Sequence, residues 1–207
     1  MRAALAPAVP RLAAVASGGT IRDRLVASAI ELTVERGWSA LTMAKLADRV
    51  GVSRQTVYNE LGAKPQLAEA MVMRELETFL AHVDGAFRDE PDDLVAAIRA
   101  AARRALALAG DSPLLHAVLS SSQGAESDLL PLLTTHSAPV LAVAGTMIRA
   151  HVAAYPESEK LPDDRLESLI DMVVRLVISH VMQPARTPEE TAETIGWIAA
   201  RVLGRSV

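Results

Sequence analysis

Apolar residues return at helical intervals along nearly the whole chain. Ile21, Leu25, Ala29 and Leu32 lie about one turn apart, which predicts an amphipathic helix running to Glu35 and closed by Gly37. Thr42 is placed to cap a second helix, Met43 to Val50, whose Leu46, Ala47 and Val50 face inward. Gly51 then turns the chain, and Ser53 caps a third helix from Arg54 to Leu61. Lys64 and Pro65 open a long fourth helix to Phe87, with Leu67, Met71, Leu76, Phe79, Leu80 and Val83 at apolar positions. Further helices are predicted for Asp92 to Ala109 (stopped by Gly110), Pro113 to Ser121, Pro139 to Tyr155, Asp163 to Met182, and Glu189 to Leu203 (stopped by Gly204). Thr187 and Glu190 form a capping box for the last of these, with Pro188 in its first turn. Between Ser120 and Ser137 a polar cluster and Pro131 interrupt the pattern. The fold class expected is all-α.

Two short helices joined by a tight glycine turn make a helix-turn-helix, with Ala47, Gly51 and Val57 at the small and apolar positions that let the helices cross closely. Charge sharpens this reading. The net charge of the chain is -4, yet residues 1–65 hold nine Lys or Arg against five Asp or Glu, net +4, and the remainder is net -8. A basic N-terminal unit attracts phosphates while an acidic body keeps the rest of the molecule off the duplex. Composition removes other classes. With no cysteine there is neither a disulfide framework nor a thiolate metal site, which fits a reducing cytoplasm. Residues 1–18 imitate a signal peptide, but Pro7, Pro10 and Arg11 break the apolar stretch, and a flexible arm is expected there. No apolar run is expected to span a membrane, since the segment Leu166 to Val181 carries Asp171 and Arg175. The division expected is therefore an arm at 1–18, a DNA-binding unit at 19–65 and a helical body at 66–207.

The run LTMAKLADRVGVSRQTVYNELGAKPQL, Leu41 to Leu67, resembles the DNA-binding signature of the TetR family of bacterial repressors. The resemblance rests on Thr42, Ala47, the Gly51-Val52-Ser53 turn, Thr56-Val57-Tyr58, and Lys64 followed by Leu67. It implies a C-terminal domain of about six helices whose last two commonly pair with a second copy as a four-helix bundle. It also implies phosphate contacts for Thr42, Tyr58 and Lys64. The chain departs from the family pattern in two places. Leu61 stands where an aromatic is usual and fills a core site, and Glu60 stands where histidine or an aromatic is common and is assigned no contact.

The chemistry of the side chains suggests how DNA would be read. The Gln55 amide suits a bidentate pair with adenine, the Arg54 guanidinium suits guanine, and Thr56 suits a thymine methyl. Lys45 and Arg49 add attraction to phosphates, and Ser53 and Asn59 complete the candidate surface. Arg2, Arg11, Arg22 and Arg24 are candidates to carry the arm into a minor groove. In the body, many aliphatic positions and few aromatics suggest a cavity for a lipophilic effector with an acyl or alkyl chain. The candidates to contact it are Phe79, Arg103, Leu106, His116, Leu119, Met147, His151, Met172 and Val173. A well-packed core would use the same residues. On the last two helices Leu166, Leu169, Ile170, Val173, Val177, Trp197, Ile198 and Val202 exceed one buried stripe, so a two-fold partner is expected to cover the surplus.

His82, His116, His136, His151 and His180 lack the spacing of metal ligands, and Ser120 to Ser122 near His116 lack a nucleophile elbow. No metal, cofactor or catalytic residue is expected. The function expected is a cytoplasmic, ligand-responsive repressor, nucleoid-associated when bound, that grips a pseudo-palindromic operator as a homodimer and is released by its effector. The alternatives are an all-helical carrier or enzyme and a DNA-binding protein without a ligand switch.

Overall fold

The computed structural model describes residues 19–121 and 129–204, and among them every regular element is helical. The arm expected at 1–18, with Arg2 and Arg11, and Ser122 of the serine run lie outside the described residues. Helix α1, Ile21–Arg36, begins in a capping box: Asp23 N–H donates to Thr20 Oγ1 at 3.2 Å, and Thr20 N–H donates to Asp23 Oδ2 at 2.9 Å. After Gly37 a 3-10 turn, Trp38–Ala40, drives the Trp38 ring into the interior. Helices α2, Met43–Val50, and α3, Arg54–Leu61, follow with Thr42 and Ser53 as their caps. Gly51 between them takes φ 74° and ψ 37°, the left-handed region that a side chain with a Cβ disfavours. Helix α4, Lys64–Asp89, is the longest, at 26 residues.

Helix α5, Leu94–Asp111, is capped by Asp93 and runs through Gly110. A single glycine costs a helix only about 1 kcal/mol, so it does not end one unaided. The break falls where Pro113 forces Ser112 into extended backbone, and α6, Pro113–Ser121, starts there. Helix α7 is one turn, Leu130–Leu133, inside the segment whose pattern was interrupted. Helix α8, Ala138–Val152, stops short of Tyr155, because Pro156 holds Tyr155 extended and opens a 3-10 turn, Pro156–Lys160. The freed Tyr155 side chain is buried, and its hydroxyl donates to the Phe87 and Glu90 carbonyls at 3.0 and 2.9 Å, closing the end of α4. Helices α9, Asp163–Met182, and α10, Pro188–Val202, complete the chain.

Two apolar cores result, and they do not divide at residue 65. The first gathers α1, the Trp38 turn, α2, α3 and the start of α4, and takes in Leu114 and Val118 of α6 together with Leu129 and Val140. The second gathers the end of α4 with α5, α8, α9 and α10. The most span-like stretch is not Leu166 to Val181 but Leu130–Val152, with a mean hydropathy of 1.2 and little of it buried. The turn between α7 and α8 divides that stretch. At 1.5 Å per residue α8 is only about 22 Å long, against a hydrocarbon core of about 30 Å.

Helix α10 lies close on α5 because position 196 has no side chain. A Cβ added there would stand 3.0 Å from Arg99 Nε and 3.3 Å from Arg99 Cβ. That Nε is buried without a hydrogen bond, 3.5 Å from a Glu193 carboxylate oxygen. Replacing Gly196 by valine should therefore lower the unfolding free energy by about 1 to 3 kcal/mol. Replacing Gly145 by alanine, where no neighbour stands within 4 Å of the added carbon, should raise it by about 0.5 to 1 kcal/mol. Urea unfolding of both variants at one fixed protomer concentration reads the two signs.

Candidate nucleic-acid interface and interior cavity

Helix α3 is anchored on one side only. Val57 and Leu61, four residues apart, are buried in the first core, so the same turns present Arg54, Gln55, Tyr58 and Asn59 outward. Arg54, Gln55 and Asn59 are exposed, and Tyr58 is 46% exposed, high for an aromatic ring in a helix. The Gln55 amide donates to Asn59 Oδ1 at 2.8 Å, which holds both side chains on one line along the helix. Ser53 Oγ accepts from Thr56 N–H at 3.0 Å and lies 2.8 Å from Thr56 Oγ1, so these two hydroxyls fix the start of the helix as well as facing outward. Thr42 does the same for α2, accepting from Lys45 N–H at 3.2 Å.

The cations divide into those that face solvent and those spent on the fold. Arg49 is in the second group: it bonds Glu35 Oε1 at 2.7 Å and Glu31 Oε2 at 3.0 Å, tying α2 to α1, and is not available as the phosphate attractor expected. Arg22 and Arg24 are no part of an arm. They lie in the first turn of α1, where Arg22 donates to the Glu60 carbonyl at the end of α3 and Arg24 donates to the Val50 carbonyl at the end of α2, at 3.2 Å. Each satisfies a carbonyl left open at a helix C-terminus and places a positive charge against its negative dipole end. Lys64 Nζ donates to the Trp38 carbonyl at 2.9 Å and stands 4.5 Å from the Trp38 ring centroid, so it braces the 3-10 turn at the foot of α4. Lys45 is exposed, with Nζ donating to the Ala40 carbonyl at 2.7 Å. Trp38 was missed in the sequence because a lone aromatic after a glycine carries no periodicity.

Behind this unit is a cavity of about 160 Å³. It is walled by α4 from Val72 to Phe87, by Leu114, Leu115 and Val118 of α6, and by residues of α5, α8 and α9. Of the effector candidates, Phe79 and Val173 line it. The others do not. Arg103 and His116 are exposed, Met172 is 54% exposed on the outer side of α9, and Leu106 is buried in α5 away from the void. Leu119 and Met147 are half-buried outside its lining. His151 stands behind the wall: its ring stacks on Phe87 at 5.0 Å, and its Nε2 is 3.0 Å from Asp84 Oδ1. The apolar content that suggested a cavity was real, but helical periodicity does not say which apolar residues meet a void and which meet each other. Glu75, the one charged side chain in the lining, went unnoticed, since a carboxylate on a long helix ordinarily faces water.

The surface expected to meet a second copy is also redrawn. Leu166, Leu169 and Ile170 are buried within their own chain, and Val173 and Val177 line the cavity. What remains outside on α10 is Trp197 at 52% exposed, Val202 at 43% and the half-buried Ile198, with Met172 exposed on α9. Among the described residues no cluster of three metal-ligating side chains occurs.

Comparison with known proteins gives the following. Residues 25–71 match bacterial regulatory proteins of the tetR family, and residues 93–201 match the C-terminal domain of the bacterial tetracyclin repressor. The chain is 28% identical over 180 residues to the HTH-type transcriptional regulator AlkX of Mycobacterium tuberculosis, covering 86% of this chain and 83% of that one. Over 72 residues it is 34% identical to the HTH-type transcriptional activator FasR of Mycolicibacterium smegmatis, covering 35% of this chain and 33% of that one. In fold it is similar to the TetR family repressor AlkX from a Dietzia strain, implicated in biodegradation of n-alkanes. The TM-score is 0.73 at 24% identity, over 90% of this chain and 98% of that one.

The Arg49 bridge makes the stability of the reading unit depend on pH. Hydrogen bonding from Arg49 holds the Glu35 carboxyl below its ordinary value of 4.5. A carboxyl with a depressed folded pKa adds stability above its unfolded pKa and loses it as pH falls through the folded one. The stability difference between the native chain and Arg49→Leu should therefore stay constant above about pH 4.5 and shrink below it, as read by urea titrations along a pH series.

Proposed function

The chain belongs to the TetR family of bacterial regulators, and we propose that it is a repressor that binds a pseudo-palindromic operator as a homodimer and lets go when a small lipophilic effector fills its interior cavity. Members of this family are non-enzymatic, DNA-binding transcriptional regulators of the cytoplasm that act typically as dimers. The chain is accordingly a transcriptional regulator and not an enzyme.

One observation carries the switch: the cavity and the reading unit share walls. Val72 of α4 and Leu114 and Val118 of α6 line the cavity and at the same time pack in the core beneath α1, α2 and α3. A ligand that spreads α4 from α6 must shift the residues on which the reading unit rests. Reading heads displaced in this way no longer match half-sites a helical turn of about 34 Å apart, and the dimer loses its second contact. The ligand accomplishes this only through higher affinity for the released state, with a coupling of about 1 to 3 kcal/mol. The nearly all-apolar lining supports a lipophilic effector.

On DNA, Arg54 and Gln55 read base edges, with Thr56 against a thymine methyl, while Thr42, Lys45, Ser53, Tyr58 and Asn59 hold the backbone; Lys64, bonded to the Trp38 carbonyl, supports this face from behind and not by the phosphate contact expected of it. The second copy covers Met172, Trp197, Ile198 and Val202, apolar positions that a stable monomer has little reason to expose together.

Anisotropy titration against DNA from the gene's own upstream region, with scrambled DNA as control and salt varied, tests the reading. Gln55→Ala should cost about 1 to 3 kcal/mol of discrimination between the two DNAs. Lys45→Ala should weaken both alike and flatten the salt dependence by about one ion. Trp197→Glu should give a monomer in light scattering and lose operator binding. Equal weak affinity of the native chain for both DNAs would place the operator outside the upstream region, no binding to either at low salt would refute the repressor reading, and operator affinity unmoved by cavity ligands would refute the switch.

A further inference from the structure

The cavity has one polar corner, and it is acidic. Glu75 enters the lining from α4 where α5 gives way to α6. Its Oε1 accepts from Ser112 Oγ at 2.5 Å, and Ser112, 4% exposed, accepts in turn from Leu115 N–H at 3.2 Å. The hydroxyl proton of Ser112 is thus committed to the carboxylate. Glu75 Oε2 makes no hydrogen bond or ion pair among the described residues, and the lining contains no Lys, Arg or His. From this corner the wall continues along α4 through Phe79 and Val83 to Phe87, twelve residues or about 18 Å at 1.5 Å per residue.

A void of about 160 Å³ drawn out over that length is narrow, so it suits a linear chain better than a fused ring. It is close in volume to an apolar cavity of about 150 Å³ that takes up benzene, so a chain of medium length fills it. The chemistry at the corner selects the head group. A carboxylate head would bring a second negative charge beside Glu75 with no cation near to offset it. A hydrocarbon would offer Oε2 no hydrogen bond in exchange for the water it displaces there. An ammonium head would have to shed its hydration inside apolar walls. A hydroxyl is neutral and donates one hydrogen bond, which is what Oε2 lacks.

We propose that Glu75 receives the effector's head group and that the effector is an aliphatic alcohol and not the corresponding fatty acid. This rests on the cavity being the effector site. Glu75 acts as a specificity-determining residue: its carboxylate accepts the alcohol and repels the acid.

The test is calorimetric titration of the full-length protein near neutral pH with 1-octanol and with octanoate, repeated on E75Q and on A102F, whose ring occupies the cavity. E75Q keeps an acceptor for Ser112, removes the charge and turns the second oxygen into an amide donor. The native chain should bind 1-octanol at least about tenfold tighter than octanoate, the scale of one like-charge contact in a partly solvated site. E75Q should close most of that gap by gaining affinity for octanoate, and A102F should bind neither. Octanoate bound as tightly as 1-octanol by the native chain, with no change in E75Q, would overturn the role of Glu75 and leave the cavity standing as the effector site. Failure of both compounds to bind the native chain, or binding by A102F equal to native, would overturn the cavity itself as that site and this assignment with it.

Discussion

α4 supplies Leu67, Ala68, Met71 and Val72 to the core under the recognition helix and Val83, Ala86 and Phe87 to the core of the body. A helix is stiff along its axis because every peptide unit is bonded to the next turn. A displacement at one end is therefore carried to the other and not absorbed between them. The two regions behave as a lever with a bearing at each end, and most other features serve one bearing or the other. Trp38 and Lys64 brace the foot of the lever, and Tyr155 closes its far end by bonding the Phe87 and Glu90 carbonyls. Burial among nearby acidic groups pushes the Tyr155 phenol above its ordinary value, so it remains a donor across the working range.

Charge is apportioned by the same logic. The basic unit has fewer cations for DNA than its count implies, because Arg22, Arg24 and Arg49 hold α1, α2 and α3 to one another. The three helices are held by their shared apolar core, with Leu25, Ala29, Leu46, Val57 and Leu61 buried in it, and the arginine contacts fix their ends at the surface. What is left for nucleic acid is the outer line of α3, with no acidic residue in its own first turn, together with the exposed Thr42 and Lys45 at the start of α2.

The cavity is a local weakness in the packing of the body, and its position gives it consequence. Empty apolar space among helices forfeits dispersion contacts, and filling it favours whichever arrangement of α4 and α6 best encloses the occupant. α6 is a short helix shared by the cavity wall and the first core, so the void and the support of α3 have Leu114 and Val118 in common. No chain of intermediaries is needed between the two sites.

The boundaries of α2, α3 and α9, and the start of α6, were legible in the sequence to the residue, since caps, glycines and prolines are local signals that act on their own backbone. So was the outward line of α3, because Val57 and Leu61 leave it one direction to face. Where two local signals competed, the structure decided: proline at 113 and 156 set the ends of α5 and α8, over glycine at 110 and the apolar pattern running to Tyr155. The division of the body was not legible. Leu166, Leu169 and Ile170 look like surplus apolar surface because α9 is covered on two sides by its own chain, and periodicity measures the width of an apolar face but not what covers it. Whether Arg49 meets a phosphate or Glu35, and whether Glu75 meets water or a void, depends on which helices come to lie together. That is a property of packing between distant segments, and only the tertiary structure decides it.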